Sequence, residues 1–164
     1  MKILDVGCGE NKLVLSEGPA AKIIHVDSRK EVKPTIVCDV RELPFPNEEF
    51  DMVYSSEVLE HFGRNEIFNI LKEWTRVLKR GGLLWLVVPN LKWAAKQILI
   101  ETKGKVLDKE DLILSVLYGD QTYDENYHKM GFTSKTLGRE LELLGLREIK
   151  SALNEHKLIM KANK

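Results

Sequence analysis

Two cysteines and four histidines in 164 residues leave little material for a disulfide scaffold or a structural metal. No C-x-x-C or H-E-x-x-H spacing occurs, and the histidines are scattered, so no metal is expected. Cys8 and Cys38 would end the first and third strands of a sheet ordered 3-2-1, two strand spacings or roughly 10 Å apart, and are expected to be free thiols. Net charge is absent too: Lys plus Arg and Asp plus Glu both total 25. Nothing therefore draws nucleic acid or an anionic membrane from a distance, and a nucleic-acid partner is not favoured. No apolar run approaches the length of a membrane span, and the chain opens directly in a strand without a signal-like stretch; no membrane partner and a cytoplasmic location are expected. Repeats, low-complexity runs and linkers are missing as well. What is present, 43% hydrophobic and 30% charged residues, suits one soluble domain over 1–164.

The chain is organised around its first nine residues. Ile3, Leu4 and Val6 read as a buried strand that stops at Gly7 and Gly9. Two residues without Cβ at the carboxyl end of a strand allow a sharp turn and let a ligand approach the peptide groups. In an open parallel sheet this is where a nucleotide-like ligand sits. Alone, such a turn reads better as an ordinary surface turn, so the other walls must come from the rest of the chain.

They follow in order. Ile23 to Val26 reads as a second strand ending at Asp27, placed to accept hydrogen bonds from ribose hydroxyls, and Thr35 to Cys38 as a third ending at Asp39. The connections after the first two strands are short for full helices, and Pro34 stops the second. Phe50 to Tyr54 enters a fourth strand, with the polar run Ser55, Ser56, Glu57 and on to His61 at its carboxyl end. Ile67, Leu71, Trp74 and Leu78 recur at helical spacing, and Lys79 and Arg80 are expected in the last turn before a Gly81-Gly82 stop. Leu83 to Val88, apolar on both faces, reads as a central strand.

Residues 91–130 are expected to hold a helix from Leu91 to Lys103 stopped by Gly104, and a short one capped by Asp108 that runs to Tyr118. Gly119 to Met130, with Tyr123, Tyr127 and His128, is expected to loop over the site. Thr133 caps a last helix, and Leu146–Leu153 with His156–Met160 close the chain as an antiparallel pair.

In these residues the chain resembles a class I methyltransferase that uses S-adenosylmethionine, of the type-11 group. The matching stretches are ILDVGCG, HVD, CDVRELPFPNEEFDMVYSSEVLEHF and EWTRVLKRGGLLWLVVPN. The resemblance implies an α/β Rossmann-like doubly wound sheet of seven strands in the order 3-2-1-4-5-7-6, strand 7 antiparallel, with reduced helices after strands 1 and 2 and a substrate-side lid in 91–130. It implies the cofactor S-adenosyl-L-methionine, contacted by Asp5, Gly7, Cys8, Gly9, Asp27, Ser28, Asp39, Val40, Ser55 and Ser56. Glu57, His61 and His128 become the candidates for a general base toward an unidentified methyl acceptor. The family's amino-terminal helix is not represented before the first strand. A nicotinamide-dependent oxidoreductase would share the glycine turn, but its fingerprint wants a third glycine where Lys12 stands. A noncatalytic partner subunit of the same fold is the other alternative. Because strands apolar on both faces need cover on both, either Leu13, Val14, Leu15, Ala20 and Ala21 collapse onto the second face, or residues 91–118 wrap round to it, or a homodimer or partner protein covers it.

Overall fold

In a computed structural model, residues 1–15, 21–101, 110–123 and 125–164 are described. Seven strands form one sheet: β1 (Lys2–Val6), β2 (Lys22–Asp27), β3 (Ile36–Val37), β4 (Phe50–Ser56), β5 (Leu78–Pro89), β6 (Arg147–Asn154) and β7 (Lys157–Asn163). Their order is β3-β2-β1-β4-β5-β7-β6. The first five run parallel, and β7 is antiparallel to both β5 and β6, as expected.

Among the described residues four helices accompany the sheet: α1 (Ile67–Val77), α2 (Leu91–Glu101), α3 (Glu110–Tyr118) and α4 (Ser134–Leu143). The apolar stripe of α1 and Leu137 and Leu141 of α4 pack with Leu4, Val6, Ile24, Val26, Val53, Leu84, Leu86 and Met160 in one core. Side chains alternate between sheet faces, so these positions share one face of the pleat. Full burial of each large apolar side chain contributes roughly 1.5–3 kcal/mol. Thr133 caps α4 through a reciprocal box with Thr136, satisfying amide donors that the first helical turn leaves free.

The end of α1 differs from its sequence-based reading. The helix stops at Val77, and Leu78 to Gly82, including Lys79 and Arg80, already belong to β5. The reason is tertiary. Glu48 and Glu49 donate backbone N–H groups to the carbonyls of Arg76 and Val77, Phe50 pairs with Leu78, and Lys79 Nζ bonds Asp51 Oδ1 at 2.7 Å. The strand neighbour takes the carbonyls that another helical turn would have used.

On the connections after β1 and β2 the expectation holds: the described residues carry only a 3₁₀ turn, Lys30–Val32, after β2. α2 runs to Glu101; the expected stop at Gly104 and cap at Asp108 lie outside the described residues. The second sheet face carries a transverse row, His25, Asp5, Tyr54, Trp85 and Lys161, set by strand register. Leu13 comes down beside it, its N–H on Asp5 Oδ2 at 2.9 Å, whereas Val14 is 81% exposed. Ala94, Ile113 and Val116 of α2 and α3 form a small core of their own.

Candidate active site

The carboxyl ends of β1, β2 and β4 meet at one edge, and the glycine turn sits at its centre. Gly7 and Gly9 have φ of +64° and +52°, the left-handed region that disfavours side chains. A Cβ on Gly7 would lie 2.5 Å from Val58 Cγ2, so this glycine also admits the chain that follows β4. A Cβ on Gly9 would meet only Arg29 Nη2, at 3.8 Å. That opening is the cradle.

Asp27 holds the cradle in place. Its Oδ2 accepts the Gly9 N–H at 2.9 Å and its Oδ1 the Arg29 N–H at 2.9 Å. Cys8, next to it, is buried and donates its N–H to the Val26 carbonyl. Burial, reinforced by Asp5 and Asp27, raises its thiol to about 11, so it stays protonated at neutral pH and is no nucleophile there. Asp5 acts from behind the turn, accepting from Leu13 N–H and pairing with His25 Nδ1 at 2.8 Å. Ser28 is exposed just past Asp27.

Asp39 stands at the next strand end, half exposed and bound by Arg41 through backbone and guanidinium N–H groups. The Arg41 hydrogen bond holds its carboxyl below the usual carboxylate range. Val40 is buried, and its carbonyl accepts Trp74 Nε1–H at 2.9 Å, which ties this segment to α1.

Ser55 and Ser56 fall inside β4, and Ser55 is buried. Glu57 follows at φ +57°, an uncommon conformation for a residue with a side chain, and its Oε1 is buried without a hydrogen-bond partner. His61 closes a 3₁₀ turn, Leu59–His61, and its Nδ1–H donates to the Tyr127 carbonyl at 3.2 Å. His128 Nδ1–H donates to the Val116 carbonyl at 3.1 Å, and the two imidazoles meet edge to face at 5.1 Å. Burial lowers the pKa of both, favouring neutral rings. Described residues after α3 contact the turn that follows β4 and the end of β2. Lys129 and Met130 both donate N–H groups to the Glu60 carbonyl, and Tyr123 lies on the Arg29 guanidinium at 4.4 Å. A cleft of about 170 Å³ opens beside His128, between Pro89, Leu91, Val116 and Met130. It is smaller than the roughly 300–1,000 Å³ typical of ligand sites.

Sequence reasoning did not single out Glu60, Arg29 or Arg41. Glu60 is 0% exposed, and neither carboxylate oxygen has a hydrogen-bond partner. Burial, with the charge of Glu57 added, raises its pKa well above the ordinary value near 4.5. The local signal was an acid set beside the apolar Val58, Leu59 and Phe62. Since the raised group holds its proton in the folded protein where the unfolded chain has lost it, stability falls as pH rises from about 4.5 through the folded value. Glu60→Gln should remove that component in metal-free protein. Chemical denaturation of both proteins across pH 5–8 should therefore show the wild type losing stability relative to the variant as pH rises, with a limiting slope of about 1.4 kcal/mol per pH unit. Parallel pH profiles would show that Glu60 is ionised in the fold.

Comparison with known proteins places these elements in a wider group. A family model described as a methyltransferase domain matches residues 4–86. A human protein named probable tRNA methyltransferase 9B is 31% identical over 124 residues, covering 68% of this chain and 24% of that protein. The 25S rRNA (adenine(645)-N(1))-methyltransferase of Schizosaccharomyces pombe is 28% identical over 151 residues, 90% of this chain and 39% of that one. The chain thus spans about a quarter to two fifths of the length of these two relatives. Among solved structures, a SAM-dependent methyltransferase from Methanosarcina mazei superposes with a TM-score of 0.68 at 22% identity, covering 99% of this chain and 92% of its own.

Proposed function

Because the chain belongs to the methyltransferase-domain family, with the class I S-adenosylmethionine-dependent fold, we propose that it binds S-adenosyl-L-methionine at the glycine turn and transfers the methyl group to an acceptor. The observation that carries this reading is the meeting of three strand ends. The open Gly9 cradle, the Asp27 carboxylate that holds it and the buried polar groups after β4 share one edge, with Tyr123 against Arg29 and Lys129 and Met130 against Glu60.

When bound, S-adenosylmethionine supplies a methyl group already activated on a sulfonium, so the protein's task is alignment and exclusion of water. The glycine turn receives the cofactor's amino-acid end, where Gly9 leaves room for it; the Cys8 and Gly9 N–H groups are already given to the Val26 carbonyl and Asp27 Oδ2, so the turn offers close backbone approach rather than free amide donors. Asp27 accepts from the ribose hydroxyls with the lone pairs that Gly9 and Arg29 leave free. Asp39, oriented by Arg41, accepts from the adenine amino group, with Val40 and Ser28 alongside and Ser55 and Ser56 forming the floor. Glu57, His61 and His128 face the acceptor. A neutral imidazole or Glu57 accepts a proton where the acceptor arrives protonated, and the described residues of 91–130 form the acceptor side as a lid.

Calorimetry should show the protein binding S-adenosylmethionine or its demethylated product and not NAD, with binding weakened in Asp27→Ala. Equal affinity for NAD would replace this reading with the oxidoreductase one, and cofactor binding without turnover on any acceptor would favour a noncatalytic subunit. The same reading includes a second copy or a partner protein over the second sheet face, where Val14 is exposed and Tyr54 and Trp85 are half-buried. Light scattering on size exclusion should then give a mass above 18.8 kDa, and a clean monomer would reject self-association.

A further inference from the structure

We propose that Glu60, His61 and His128 form a binding site for one divalent transition-metal ion of the zinc type, beneath the segment that crosses the strand ends. The site shares its two histidines with the acceptor side of the proposed function: with the ion bound both imidazole lone pairs are taken, and Glu57 alone of the three candidate bases can accept a proton. One carboxylate oxygen of Glu60 and one ring nitrogen from each histidine lie within 4.8 Å of one another.

Three features make this cluster more than a chance grouping. Glu60 is fully buried and neither oxygen has a hydrogen-bond partner of good geometry; the nearby Val58 and Glu60 backbone N–H groups favour its charge but are outweighed by burial, so a carboxylate in such a place is costly unless it meets a proton or a cation. Lys157 is near enough to act on it electrostatically but makes no hydrogen bond to it. Each histidine spends Nδ1–H on a backbone carbonyl, His61 on Tyr127 and His128 on Val116. A carbonyl can only accept, so the His128 ring is fixed in the tautomer that leaves Nε2 with its lone pair, the arrangement that metal-binding histidines use; His61 has the Glu57 backbone beside it as well as the Tyr127 carbonyl. The two sides of the cluster are also already joined, because the Glu60 carbonyl accepts the N–H groups of Lys129 and Met130. A cation here would tie the segment around His128 to the turn after β4.

The donor set selects the ion. Two imidazoles and one carboxylate suit zinc and its neighbours, whereas calcium and magnesium want six or more oxygen ligands. Motif spacing could not show the site, because His128 comes from a segment far along the chain from Glu60 and His61.

The test uses untagged full-length protein, stripped with a chelator and titrated with Co²⁺, followed by Zn²⁺ competition. One equivalent of Co²⁺ should produce visible d–d bands without a thiolate charge-transfer band, and one equivalent of Zn²⁺ should abolish them. Affinity should fall more than about tenfold in Glu60→Gln and in His128→Ala. Far-UV circular dichroism and thermal melting establish that each variant is folded, and His61→Ala replaces any that is not. No bands, bands with thiolate character from Cys8 or Cys38, or unchanged affinity in the folded variants would each overturn the proposal.

Discussion

Gly9→Val is expected to abolish measurable S-adenosylmethionine binding, a loss of more than about a hundredfold or roughly 2.8 kcal/mol, in a protein that still folds. The two halves of that expectation have separate causes. An added Cβ at Gly9 meets no atom closer than Arg29 Nη2 at 3.8 Å, so the packing around it is not disturbed. Valine at φ +52° costs of order 1–3 kcal/mol of backbone strain, which lowers the melting temperature by several degrees without unfolding a domain of this size. The branched side chain fills the opening that the cofactor's approach to the turn requires. Gly7→Val is a poorer probe, because its Cβ would lie 2.5 Å from the buried Val58 side chain and the fold itself would give way. Calorimetric titration with parallel thermal melts separates the two variants, and tight binding by folded Gly9→Val would place the pocket elsewhere.

Trp74→Ala should be the most damaging single change to stability, at about 3–5 kcal/mol. Trp74 is 0% exposed at the centre of the α1 stripe, and its Nε1–H satisfies the Val40 carbonyl at 2.9 Å. The truncation removes a large buried ring and leaves an acceptor unpaired beside Asp39. Trp74→Phe keeps most of the ring and should cost less, about 1–3 kcal/mol for the orphaned carbonyl together with the smaller volume. Urea unfolding midpoints measure both. If Trp74→Phe proved as costly as Trp74→Ala, the hydrogen bond rather than the ring would dominate this contact.

The sheet was legible because its signals are local. Short apolar runs ending in Gly7 and Asp27, and the continuous run from Leu83 to Val88, announce buried parallel strands from residue type alone, whereas the run expected over Thr35 to Cys38 became only the two-residue edge strand β3, with Val37 exposed. Thr133 announced the start of α4 for the same reason, since a cap acts within its own first turn. The end of α1 was misread because Lys79, Arg80 and the two glycines carry the usual marks of a helix terminus. What decides there is a partner from elsewhere in the chain, Phe50 opposite Leu78 and Asp51 opposite Lys79. At the site, the strand-end residues could be read from position. The stacking of Tyr123 on Arg29, the clamp of Arg41 on Asp39 and the burial of Glu60 arise from packing that no spacing encodes.

The central claim is that the cofactor lies at the shared edge of β1, β2 and β4. Ultraviolet crosslinking of methyl-labelled S-adenosylmethionine to the wild-type protein, followed by peptide mapping, tests it most directly. Label is predicted within residues 1–12 or 54–64 and suppressed by excess S-adenosylhomocysteine but not by NAD. Label confined to other peptides, or unaffected by S-adenosylhomocysteine, would contradict it.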